Sequence, residues 1–214
     1  MNSKKQKKID SGRQYRKIDV SFETRSSDES NEMIVEGYAT TFNDEYELCS
    51  YGNTSLYEQV DKRAFDDCDM SDVIMQFDHE GFVYARCRND TLKLEVDNRG
   101  LKVTANLGGT ERGKQLYEDI SKGYIDRMSF GFTIGATERT VKEDESTGRR
   151  EIHVRITKIN KLYDVSAVSI PANDMTELSS RNFFDGVIEG LETERMIVSE
   201  KRKRLKLIAD LELI

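Results

Sequence analysis

Long apolar runs, histidine, cysteine and proline are what this chain has least of. No stretch of its 214 residues approaches the roughly 20 consecutive apolar residues that a bilayer-crossing helix needs, which argues against a membrane-spanning protein. The first ten residues, MNSKKQKKID, are basic with no apolar stretch behind them, so they do not read as a secretory signal. Three cysteines, Cys49, Cys68 and Cys87, are an odd number at wide spacing. They suggest neither a disulfide framework nor a C-x-x-C zinc pair, and a reducing, intracellular compartment is the natural expectation. Two histidines in the whole chain argue against a His-rich metal site, and haem or iron–sulfur ligation is disfavoured with it, so no cofactor is expected. The single proline, Pro171, is expected to end a strand, because proline cannot donate to a ladder.

What is present is charge, unevenly spread. Charged residues make up 34% of the chain and hydrophobic ones 36%, with a net charge of −7. Residues 1–17 hold Lys4, Lys5, Lys7, Lys8, Arg13, Arg16 and Lys17 against Asp10 alone. The body is therefore more acidic than the whole, which disfavours nucleic acid as the main partner. The basic start, residues 1–31, reads as a flexible arm. A second basic cluster, Lys201-Arg202-Lys203-Arg204 with Lys206, is interleaved with Leu205, Leu207, Ile208 and Leu211. That pattern suggests an amphipathic helix, which could cover its own core or dock on a partner.

The pattern between the ends is mostly strand. Apolar and polar residues alternate over 15–24 and 33–42, as in half-buried strands. A loop carrying Gly52, Asn53 and Ser55 follows, and residues 60–65 suggest a turn of helix. Strands are expected at 72–78, 82–87, 91–97 and 101–107, with turn signals Asn89-Asp90 and Asn98-Arg99-Gly100 between them. Residues 110–122 read as a helix with Thr110 as cap and Gly123 closing it. Residues 124–138 become strand-like, a hairpin tip falls near Gly148, two strands cover 151–158 and 162–170, and a helix covers 186–213. The expectation is an α+β fold with a mostly antiparallel, β-barrel-like core and flanking helices.

Several motifs fail on inspection. Gly108–Gln115 contains G-x-x-x-x-G-K in a strand-to-helix context, but Gln115 stands where a Ser or Thr hydroxyl would bind Mg²⁺. Nucleotide binding there is the weakest reading of the chain. His79-Glu80 begins like H-E-x-x-H, but Val83 occupies the second ligand position. Arg127 replaces the first glycine of G-x-S-x-G around Ser129. Asn53 and Asn89 match a glycosylation pattern, which means nothing without secretion.

Three polar residues at strand ends or inside apolar strands could carry chemistry. His79 closes VIMQFD, Ser129 lies in RMSFGF, and Asp164 lies in LYDVSAVSI, where a carboxylate is costly unless paired. A serine alcohol needs a neighbouring base, an imidazole is the usual one, and a carboxylate on its other nitrogen fixes the tautomer. Each also has a plain structural explanation, and spacing alone does not show that they meet.

The segments Val35-Glu36-Gly37-Tyr38-Ala39, Arg63-Ala64-Phe65, Gln76-Phe77-Asp78-His79-Glu80, Met128-Ser129-Phe130-Gly131-Phe132, and Asp164-Val165-Ser166 through Pro171-Ala172-Asn173 occur in that order. Together they resemble the prohead (head-maturation) serine proteases of tailed bacteriophages, whose fold is similar to that of herpesvirus assemblin. The resemblance covers about residues 32–178, which it marks as a prohead protease domain, followed by a charged helical tail over 179–214. It places the family's histidine on His79 and its serine on Ser129. The acidic position, usually a glutamate, falls on Asp164, whose side chain is one methylene shorter, and Arg63 stands where a glycine is usual. Assemblin-like proteases use a second histidine instead of an acid, so His153 is the alternative third member. The resemblance implies a capsid-maturation serine endopeptidase, acting inside the assembling prohead in the host cytoplasm. Its implied partners are the major capsid protein, the scaffold protein and further copies of itself, which it also processes. The alternative is a non-catalytic scaffold or capsid-assembly protein that retains the fold.

Overall fold

The computed structural model describes residues 12–18, 22–27, 32–169 and 174–211. The lysine-rich first eleven residues, the expected strand stop at Pro171 and the Pro171-Ala172-Asn173 segment lie outside the described residues. In chain order the strands are β1 (Gln14–Ile18), β2 (Glu23–Ser27), β3 (Glu32–Thr41), β4 (Tyr46–Tyr51), β5 (Thr54–Val60), β6 (Ile74–Phe77), β7 (Glu80–Arg86), β8 (Leu92–Val96), β9 (Gly100–Asn106), β10 (Arg127–Asp144) and β11 (Arg149–Val168). Two α-helices accompany them, α1 (Glu111–Ser121) and α2 (Asp174–Leu211). The α+β class is as expected, and among the described residues the strand pairings are antiparallel except those of β5 and β6 with β11.

The strands form two sheets. One runs β1-β10-β11-β5-β4, with β6 and β7 branching from β11, and the other runs β2-β3-β9-β8. A barrel-like closure is not among the pairings of the described residues. The long β10–β11 hairpin organises the first sheet. Its register shifts between Gly131 and Thr137, and such irregularities bend a strand and increase its twist. The tip half of β11 pairs with β5 and the base half with β6. The two strands expected at 151–158 and 162–170 are therefore one strand, and the apparent break falls where it changes neighbours.

Alternation fixes which faces meet. In β3 the inward residues are Val35, Gly37 and Ala39. On the hairpin, Phe130, Phe132, Ile152, Ile156, Ile159 and Val165 are fully buried, each large aliphatic or aromatic side chain contributing about 1.5–3 kcal/mol of burial. The loop expected around Gly52 is instead the tight connection of the β4–β5 hairpin, where Gly52 takes φ 58°. Helix α1 starts as expected, with the Thr110 hydroxyl accepting from the Gly113 N–H at 3.0 Å. The phosphate-loop-like run is thus a capped helix start, and Lys114 pairs with Glu111 at 3.0 Å.

Strands β1 and β2 fall within the 1–31 segment. Helix α2 begins earlier than the 186 expected. Its first half packs Phe183, Phe184 and Val187 into the core, while Met196, Ile197, Val198, Leu205 and Ile208 are exposed. The core-covering part of the helix is thus residues 183–187, whereas Leu205 and Ile208 of the basic 201–211 stripe are exposed and do not cover the core. Cys49, Cys68 and Cys87 are free and half-buried; burial pushes the Cys49 and Cys68 thiols up to about 11.

Candidate active site

Asp78 and His79 are the two connecting residues between β6 and β7, whose flanking pair is Phe77 and Glu80. Both have positive φ, 49° and 61°, as a type I′ hairpin turn requires. Glycine and asparagine dominate such turns, and Asp and His are among the few others that tolerate the left-handed region. Asp78 anchors the turn on the end of β11. Its carboxylate accepts from the Ser169 N–H at 2.9 Å and hydroxyl at 2.7 Å, and its own N–H donates to the Ala167 carbonyl at 2.9 Å. The turn thereby delivers the His79 ring, whose side chain is 0% exposed, against the β10–β11 ladder.

On that ladder Ser129 is opposite Ser166, and Gly131 is opposite Asp164. Ser129 and Asp164 are both buried. Strand β6 runs parallel beside β11, with Ile74 opposite Asp164 and Phe77 opposite Ala167. The chain then turns back at His79, over the residues it has just passed. The imidazole Nε2 lies 2.6 Å from Ser129 Oγ, and Nδ1 lies 2.5 Å from Asp164 Oδ2. The carboxylate can only accept when ionised, which assigns the ring proton to Nδ1 and leaves Nε2 as an acceptor facing the serine hydroxyl. Aspartate, though one methylene shorter than glutamate, reaches the imidazole from this position. A Cβ on Gly131 would sit 2.3 Å from Asp164 Oδ1, so the carboxylate leans into the space that glycine leaves empty.

Asp164 has two further partners, the Ser166 hydroxyl at 2.9 Å and the Arg13 guanidinium. Burial pushes the His79 imidazole down to about 4, and the Arg13 charge adds to that effect, against a small upward pull from Asp78. The ring is neutral at neutral pH, the form a general base needs.

Strand β1 covers this group. It pairs with β10 so that Lys17 is opposite Ser129, the Tyr15 ring meets the His79 ring edge-on at 4.5 Å, and Ser129 Oγ is 2.9 Å from the Arg16 carbonyl oxygen. His153 is elsewhere, on the half of β11 that pairs with β5. Its Nδ1 lies 2.8 Å from a Glu45 carboxylate oxygen, and its ring stacks on Tyr57 at 5.1 Å. The residues singled out as His79, Ser129 and Asp164 are therefore brought together, and His153 is not among them. Arg13, Tyr15 and Arg16 were hidden in a charged arm. The alternation over 15–24 announces a strand there but not where it docks. Gly131 and Ser166 sit in motifs that resemblance picks out, without a role attached to either. Among the described residues no cluster of three or more His, Cys, Asp or Glu is placed to hold a metal ion.

A hydroxyl, an imidazole and a carboxylate in line can move a proton off the alcohol as it attacks an acyl carbon, which is acyl-transfer chemistry. A family model described as caudovirus prohead serine protease matches residues 20–186, and the chain belongs to that family. It is thus a protease of phage capsid maturation. Among solved structures, the capsid assembly protease gp21 of bacteriophage T4 is similar at 10% identity, with 72% of this chain and 98% of that chain covered and a TM-score of 0.35. No curated protein sequence matches the chain.

Proposed function

We propose that this protein is a serine endopeptidase that cleaves scaffold protein, the scaffolding segment of the major capsid protein and its own ends inside the prohead. Ser129 is the nucleophile. His79 takes its proton and then gives it to the leaving amine, and Asp164 holds the ring and stabilises the imidazolium. The observation that carries this reading is the unbroken line Ser129 Oγ, His79 Nε2, His79 Nδ1, Asp164 Oδ2, at 2.6 and 2.5 Å, buried among core strands. The setting is the assembling capsid in the host cytoplasm, with several copies of the chain working side by side. Residues 1–31 then act as an arm and 179–214 as a tail, the protease domain lying between them.

The test is co-expression with the cognate capsid and scaffold proteins, read by intact mass. Wild type should release defined fragments, and Ser129→Ala and His79→Ala should each release none. Identical masses in all three would instead favour a scaffold or assembly protein that keeps the fold.

A further inference from the structure

Arg16 is an unusual residue for an edge strand. It is 1% exposed and its guanidinium makes a two-pronged ion pair with Glu58 of β5, Nε to Oε1 at 2.6 Å and the second prong to Oε2 at 2.9 Å. Glu58 is itself fully buried, and its other partner is the Tyr46 hydroxyl at 2.5 Å. The guanidinium also lies over the rings of Phe132 and Phe183, at 5.8 and 5.1 Å. This is a closed, aromatic-walled socket with one carboxylate at its base. The same residue presents its carbonyl oxygen to Ser129 Oγ at 2.9 Å. Among the described residues the strand that carries it pairs with β10 alone, at the sheet's edge. The family match begins at residue 20, so β1 lies outside the matched segment, while Glu58, His79, Ser129 and Asp164 lie inside it.

We infer that β1 occupies the cleft in which a substrate strand binds, and that the Glu58 socket selects arginine at the residue whose carbonyl faces Ser129. The inference rests on the serine endopeptidase reading and adds the substrate class. A peptide takes the place of β1 by adding to the edge of β10. Main-chain bonds give affinity, and the socket gives specificity. Arginine fits because its planar fork matches a carboxylate bidentately, whereas lysine offers a single point charge. An apolar residue would leave Glu58 buried without its countercharge. In the reaction Ser129 Oγ bonds to the arginyl carbonyl carbon while its proton passes to His79 Nε2. The peptide C–N bond breaks and the leaving amine takes that proton. Water then hydrolyses the ester, its proton returning through His79 to Ser129, and a peptide ending in arginine leaves. In the present pose Oγ meets the carbonyl oxygen, so the bond after Arg16 is seated and not under attack.

The test is digestion of a library of peptides from denatured proteins by full-length wild type and full-length Arg16→Met, whose own arm has lost its anchor. Cut sites are read by mass spectrometry, with Ser129→Ala as the control. Ser129-dependent cuts should follow arginine at least tenfold more often than lysine or methionine. In Glu58→Gln, with folding checked by thermal melt, that preference should fall at least tenfold. Ser129-dependent cuts with no preference for arginine would overturn the socket and leave the serine protease reading in place. If no peptide, nor the chain itself, were cut in a Ser129-dependent way, the protease reading would fail and this inference with it.

Discussion

At the scale of single residues, the site turns on how His79 is held. Its left-handed backbone costs of order 1 kcal/mol in such a position, and the Asp78 bonds to Ser169 and Ala167 offset it. The pattern VIMQFD followed by His79 shows in the sequence that a strand ends there. It does not show that the turn folds the ring back onto β11, because that depends on a parallel pairing between segments far apart in the chain. The neutral ring has a consequence for stability. In the unfolded chain a histidine binds its proton near pH 6.5, while in the folded protein His79 does so only near 4. Between those values the unfolded state holds more protons, so stability is fully present above about pH 6.5 and is lost as pH falls toward 4. The contribution is of order 3 kcal/mol. Chemical denaturation of wild type and His79→Gln across pH 4 to 7 should show a steeper rise of stability with pH in wild type than in the variant. Parallel curves would mean that the ring already carries its proton in the folded protein.

At the scale of elements, the β10–β11 hairpin carries both Ser129 and Asp164, and register decides that they come together. Ser129 opposite Ser166 and Gly131 opposite Asp164 place hydroxyl and carboxylate on neighbouring strands, two residues apart along each. The strands were legible from their alternation, and Ser129 and Asp164 from their polarity in apolar surroundings. The pairing between them was not, because register follows from bulges at Gly131 to Thr137 that composition does not announce. The outward placement of His153 did follow from alternation, with Ile152, Val154 and Ile156 buried on either side of it. Gly131 gives an element-level test. In Gly131→Ala the new methyl group displaces the Asp164 carboxylate from His79. Processing activity should fall at least tenfold, while the thermal midpoint drops by no more than the few degrees expected of about 1–2 kcal/mol at a tight contact. Full activity in that variant would mean that Asp164 does not need its present position.

At the scale of the whole molecule, the mostly antiparallel α+β architecture was readable because strand alternation is local. The branching at β11, where two strands pair parallel to its two halves, was not. Its β6 arm is nevertheless what brings residue 79 to residues 129 and 164 of the hairpin, and the β1–β10 pairing adds residue 13. The basic arm that composition assigned to solvent contributes β1 and the residue before it, and Arg13, Tyr15 and Arg16 all touch the site or the Glu58 pocket beside it. The most direct measurement on the relay is a double-mutant cycle at Ser129 and His79, read as the rate of scaffold processing in co-expressed proheads. Groups that act as one unit are not additive. Ser129→Ala and His79→Ala should each lower the rate by about 10³-fold or more, and the double variant should lose no more than either. Losses that multiply, or a His79→Ala protein that processes at the wild-type rate, would contradict a serine activated by this histidine.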